Sequence, residues 1–123
     1  MESILTSIKK LIGISEEYTH FDADIIMHIN SVFGTLNQLG VGPPEGFRIE
    51  DEYATWEDFS TDVNIQNSVK SYIYLKVRLI FDSANLSSAV IESINNQIKE
   101  FEWRLNVAAE STKSSGEEEN QNE

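Results

Sequence analysis

The sequence predicts an all-α fold, a small bundle of four main helices. Three observations carry this. Apolar residues recur three and four apart in four separate stretches. Strand-like alternation is confined to the triplet Phe47-Arg48-Ile49. Gly and Asp or Ser stand where those helical stretches end and begin. A long aromatic-containing loop separates helices two and three, and the last helix is long.

Helix one spans about residues 3–12. Ile4, Leu5, Ile8, Leu11 and Ile12 share one face, Ser3 suits the N-cap, and Gly13 suits the left-handed residue that ends a helix. Helix two spans about 23–38, with Asp22 as the expected cap. Ile25, Ile26, Ile29, Val32, Phe33, Leu36 and Leu39 form its stripe, and Gly40 ends it. Met27 and Gly34 lie on the far side. Gly34 reads equally as a close approach by another element and as a tolerated surface glycine.

The connection from Gly40 to Phe59 opens with turn chemistry, Gly40-Val41-Gly42-Pro43-Pro44-Glu45-Gly46. Phe47, Arg48 and Ile49 suggest a short strand. Thr55-Trp56-Glu57-Asp58 has the form of a capping box, which predicts a helical turn from Trp56 to Phe59. A loop of this length carrying Phe47, Tyr53, Trp56 and Phe59 is expected to dock against something.

Helix three spans about 62–81. Ile65, Val69, Tyr72, Ile73, Val77 and Ile80 form its main stripe, widened by Tyr74, Leu75, Leu79 and Phe81, as in a central helix packed on two sides. Lys76 falls inside the stripe. It reads as a snorkelling lysine, the alternative being a buried pair with an acid from a neighbouring helix. Helix four spans about 86–109, capped by Asn85 or Ser87. Val90 or Ile91, Ile94, Ile98, Phe101, Leu105 and Ala108 make a heptad-like seam, and Glu100 and Arg104 an i,i+4 pair. Trp103 and Val107 point away from the seam. They suggest a second contact surface, or a Trp packed on a loop of the same chain.

Composition narrows function. The 123 residues carry a formal charge of −12 and no cysteine. Without Cys there is no disulfide framework, Cys-ligated zinc or thiol nucleophile. The charge opposes a protein that grips phosphates, which requires clustered Lys and Arg. The N-terminus lacks a basic segment ahead of its apolar residues and does not read as a secretory signal. The longest apolar stretch, 72–81, is broken by Lys76 and Arg78 and is too short to span a bilayer. The chain therefore reads as soluble and made in the cytoplasm. Residues 111–123 hold no apolar side chain and a net charge of −3, which predicts a disordered acidic tail after a helical domain over 1–110 with charge −9.

No catalytic constellation emerges. His20, Asp22, Asp24 and His28 are the only candidate metal set, but Asp22 and Asp24 already suit a helix N-terminus and no further ligand is evident. The run Glu50-Asp51-Glu52 reads as a solvated face. Neither an enzyme activity nor a cofactor is expected.

The segments Phe21-Asp22-x-Asp24-Ile25-Ile26-x-His28-Ile29-Asn30-Ser31, Leu39-Gly40-Val41-Gly42, Thr55-Trp56-x-Asp58-Phe59, Tyr74-Leu75-Lys76-Val77-Arg78-Leu79-x-Phe81-Asp82 and Glu102-Trp103-Arg104-Leu105-Asn106 occur in this order. Together they resemble the head-tail connector (adaptor) proteins of long-tailed double-stranded-DNA phages and prophages of Gram-positive bacteria. The resemblance covers about residues 4–110. It departs after Asp82, where related sequences often place proline and this chain has Ser83-Ala84-Asn85.

The resemblance implies a structural protein of the virion neck, assembled as a twelve-fold ring under the portal protein. Such a ring would extend the DNA channel, pass DNA through its lumen without specific binding, and dock a stopper or head-completion protein. No membrane is involved. Ring contacts would then fall outside the monomer core. The expected interface residues are Phe47, Trp56 and Phe59 in the loop and Trp103, Arg104 and Val107 on helix four. Residues 104–110 would reach toward the portal. The competing reading from charge alone is a free-standing acidic helical protein that inhibits a partner, as a DNA mimic or antitoxin-like regulator.

Overall fold

The computed structural model describes residues 2–121, and of residues 112–121 the backbone alone. Five α-helices follow one another: α1 (Ile4–Leu11), α2 (Asp22–Gln38), α3 (Trp56–Phe59), α4 (Val63–Asp82) and α5 (Ser88–Gln121). Local chemistry sets most of the ends. The Ser3 hydroxyl accepts the Thr6 N–H at 3.2 Å. At the other end of α1, Gly13 takes φ +83°, and the Ile14 and Gly13 N–H groups return to the carbonyls of Lys9 and Lys10. This pairing satisfies carbonyls that the helix itself leaves open. Thr55 and Asp58 close the capping box of α3 reciprocally. Asp62 caps α4 through the N–H groups of Asn64 and Ile65. Ser87, not Asn85, supplies the cap of α5, accepting the Val90 N–H at 3.2 Å. Ser83–Asn85, where this chain departs from the proline of the family pattern, form a 3-10 turn between α4 and α5.

Asp22 does not cap α2. It is the first residue of that helix, and Phe21 stands at the cap with no side-chain hydrogen bond. The carboxylate turns instead to the buried Lys9 ammonium, 2.8 Å away. An ion pair with a buried cation outweighs one capping bond, because an unpaired ammonium in the interior would cost several kcal/mol, on the order of 3–5.

α4 is the central helix, packed against α1, α2, α3 and α5. Its Val69, Tyr72, Ile73, Leu75 and Val77 are buried. They meet Ile4 and Ile8 of α1, Ile25, Ile29, Phe33 and Leu36 of α2, and Ile94, Ile98 and Leu105 of α5 within one core. Each such side chain contributes about 1.5–3 kcal/mol by leaving water. Three stripe residues lie elsewhere than expected: Leu11, Ile80 and Ala108 are exposed. Leu11 and Ile80 sit near the ends of their helices, where the bundle no longer covers the full stripe. Gly34 is exposed on α2, with open space where a Cβ would stand, so the structure supports the surface reading.

The triplet Phe47-Arg48-Ile49 forms no strand. The Asn30 side chain takes the place of a partner strand: its amide donates to the Ile49 carbonyl and accepts the Ile49 N–H, both at 2.8 Å. A lone alternating triplet has no neighbouring strand, and one carboxamide satisfies both backbone groups. The single strand-like pairing among the described residues joins Ser3 and Thr55. It ties the start of α1 to the start of α3 through an Ile4 N–H to Ala54 carbonyl bond of 2.9 Å.

α5 runs past Ala109, where the sequence reading ends its fourth helix. The acidic tail expected over 111–123 lies, from Thr112 on, outside the described side chains.

Candidate functional site

The aromatic loop and the outer face of α5, both expected to make contacts, are placed very differently. Trp56 and Phe59 are buried, and Phe47 is half-buried. Phe33, Phe47 and Phe59 pack with ring centroids 4.9–5.3 Å apart, and the Trp56 indole N–H donates to the Ser7 hydroxyl at 2.9 Å. These loop aromatics dock on their own chain. Gly42 makes the packing possible. It holds φ +93°, and a Cβ there would stand 2.4 Å from the Phe59 ring.

Trp103 faces outward at 68% exposure, with Val107 exposed one turn later. Arg104 is exposed beside them and pairs with Glu100. Behind this face a groove of about 850 Å³ opens between the Leu39–Gly42 turn, the start of α4 at Asp62 and Ile65, and Leu105–Glu110 of α5. The Asn106 amide reaches the Leu39 carbonyl at 3.4 Å and holds the two walls together. The sequence reading missed this groove. Its signal was Gly40-x-Gly42, two positive-φ glycines that bring bare backbone into one wall.

Charges on the described surface pair across helices. The Glu102 carboxylate accepts the Tyr72 hydroxyl at 2.6 Å and stands 4.0 Å from Lys76 Nζ, which also lies over the Tyr72 ring. Lys76 therefore pairs with a neighbouring helix, but at a half-exposed edge and not in the interior. Burial, and next the Glu102 hydrogen bond, push the Tyr72 phenol well above the usual tyrosine range. Both favour the neutral, donating form.

Three of the four residues weighed as metal ligands have other company, and Asp24 is exposed on the first turn of α2. Asp22 meets Lys9, His20 stacks edge-on against Phe21, and His28 against Phe81. Among the described residues no group of three His, Asp or Glu side chains is placed to hold a metal ion. The groove offers apolar walls, backbone and amide groups, which suits docking.

A protein-family model described as "phage connector protein" matches residues 4–112. The chain belongs to the phage connector family. Comparison with curated proteins and with solved structures gives no match.

Family membership gives the connector a structural role in the virion, at the phage neck, in contact with other head and tail proteins. No helix among the described residues is long and apolar enough to cross a membrane. The five segments that carry the resemblance divide by task. Leu39–Gly42 and Thr55–Phe59 build the connector's core and one wall of the groove. Glu102–Asn106 splits: Leu105 and Asn106 face inward, and Trp103 and Arg104 face solvent.

Proposed function

We propose that the connector forms a twelve-fold ring beneath the portal protein, lengthens the DNA channel, and docks a stopper or head-completion protein on its far side. The observation that carries this reading is the pairing of an exposed apolar knob, Trp103 and Val107, with an open apolar groove on the same chain. A knob and a groove at different places on one surface make a head-to-tail contact, which closes into a ring when the rotation allows. Phe47, Trp56 and Phe59 then act from beneath, by shaping the wall that the groove presents. Leu105, Asn106 and Ala108 to Glu110 line the groove, and residues 104–110 are taken to face the portal.

The charge supports the same reading. Residues 1–110 form the adaptor domain and keep a net charge of −9, while 111–123 add an acidic extension of −3. A lumen that passes DNA works better without many phosphate contacts, each of which would slow passage. The enzyme-free role follows, since docking and channel lining require no chemistry.

The test is deletion of the gene followed by electron microscopy of particles. Tailless heads that are DNA-filled or leaking DNA are expected. Normal tailed particles would overturn the proposal, as would a ring whose lumen is basic.

A further inference from the structure

Lys9 is the most deeply buried charged side chain described, at 2% exposure. Its ammonium meets the Glu16 carbonyl at 3.0 Å, the Tyr18 carbonyl at 2.8 Å and the Asp22 carboxylate at 2.8 Å. The two carbonyls accept its hydrogen bonds, and the carboxylate balances its charge. The carbonyls belong to the connection between α1 and α2 and the carboxylate to the first residue of α2, so the connection is fixed from inside although it contains no regular structure.

The side of this connection that remains in water is aromatic. Tyr18 and Phe21 are exposed, and their rings stand 5.9 Å apart. The array extends through His20 at 4.9 Å from Phe21, Phe81 at 6.2 Å from Phe21, and His28 at 5.7 Å from Phe81. Around it, residues 14–24 carry four carboxylates and no Lys or Arg. Glu16, Glu17 and Asp24 are exposed. The Ser15 hydroxyl donates to Glu17 at 2.6 Å and holds its carboxyl below the usual range, so that the charge persists in mild acid.

We propose that the Tyr18–Phe21 surface is a docking site for an arginine-bearing segment of a protein partner. An apolar occupant would desolvate carboxylates and supply no countercharge to them, at high cost. A phosphate or an anionic lipid surface would be repelled. A cation gains from both features, from the ring faces and from the carboxylates around them. Arginine suits this better than lysine, because its planar guanidinium stacks on a ring while donating in pairs to carboxylates. The cation belongs at the Tyr18 end, because the His28 end leads into a pocket of about 280 Å³ that already holds Lys76. The Lys9 anchor presents the surface in advance, which lowers the ordering cost of binding. The proposal does not depend on the ring.

The test is a titration of the isotope-labelled full chain with a short arginine–glycine peptide and with its lysine counterpart, followed by amide chemical shifts. Shifts confined to residues 15–24, 28 and 80–82 are expected, with the arginine peptide bound more tightly. Tyr18→Ala with Phe21→Ala is expected to weaken the arginine peptide about five-fold or more. Tyr18→Leu, which keeps apolar area but not the ring, is expected to weaken it about two-fold or more. Circular dichroism confirms that each variant is folded. Shifts spread equally over Glu50–Glu52, equal affinity for both peptides, or unchanged binding by the folded double variant would each overturn the proposal.

Discussion

The connector's two tryptophans stand in opposite surroundings. Trp56 is 4% exposed and hydrogen-bonded to Ser7 on α1, and Trp103 is 68% exposed on α5. The loop around Trp56 looks on sequence like the freer region, and α5 like the more regular one. The structure reverses the roles. The loop is knitted to α1 and α2 by backbone, amide and aromatic contacts, and it contributes Val41, Ile49, Trp56 and Phe59 to the core. α5 rests on the bundle through a narrow line, with Ile94, Ile98 and Leu105 buried. Aromatic density therefore locates a core element here, and an isolated aromatic on a regular helix locates a surface left for something else.

Removing Trp56 would break this contrast most directly. Trp56→Ala should destabilise the chain by about 3–5 kcal/mol, because it empties a core site and leaves the Ser7 hydroxyl without its donor. Chemical denaturation checks this. A loss under about 1 kcal/mol would mean that the loop is only draped on the bundle.

The glycines sharpen the contrast at the next level. Gly42→Ala should cost about 2 kcal/mol or more, since the residue holds φ +93° and its Cβ would enter the Phe59 ring. Gly34→Ala, on an open helical surface, should be neutral or stabilising by up to about 1 kcal/mol. Paired thermal melts of the two variants separate a glycine that the packing requires from one that it tolerates. Equal effects would refute the distinction.

Helix ends were legible in the sequence because their causes are local. Ser3, Gly13 and the Thr55–Asp58 box each act within a few residues, and each is found in its expected role. Burial was less legible where partners are distant in sequence. Lys9 and Leu11 illustrate this. Both lie near the apolar face of α1, yet the lysine is buried and the leucine exposed. What decides is the pair of carbonyls at Glu16 and Tyr18 together with the Asp22 carboxylate, which no helical periodicity encodes. The groove was hidden for the same reason, since its walls come from residues 37–44, 59–65 and 105–110. Asn30 read as one polar residue among others, because its partner Ile49 lies in another element.

The contact between α4 and α5 gives a smaller, pH-dependent effect. The Tyr72 phenol has its folded pKa raised above the unfolded value of about 10. The folded state thus favours the protonated form. That contribution is complete below pH ~10 and is lost as the pH rises through the higher folded value. Thermal stability should fall above pH ~10. Tyr72→Phe should lose about 1 kcal/mol at neutral pH and show a shallower alkaline decline. Melting temperatures measured from neutral to alkaline pH decide it. An identical decline in both proteins would detach the effect from the Tyr72–Glu102 bond.

The smallest effect on the folded chain should come from Trp103, and this makes it the most informative residue for assembly. An exposed side chain on the outer side of α5 loses little when truncated, so Trp103→Ala should change unfolding free energy by no more than about 0.5 kcal/mol. The same change should weaken joining to portal-containing particles, because a large aromatic that enters a partner's pocket concentrates interface energy. Sedimentation of mixtures with purified portals would measure it. A variant equal to the parent in both folding and joining would remove Trp103 from the contact surface. A variant that folds less well would instead place its ring on the connector's own bundle, and the contrast with Trp56 would vanish.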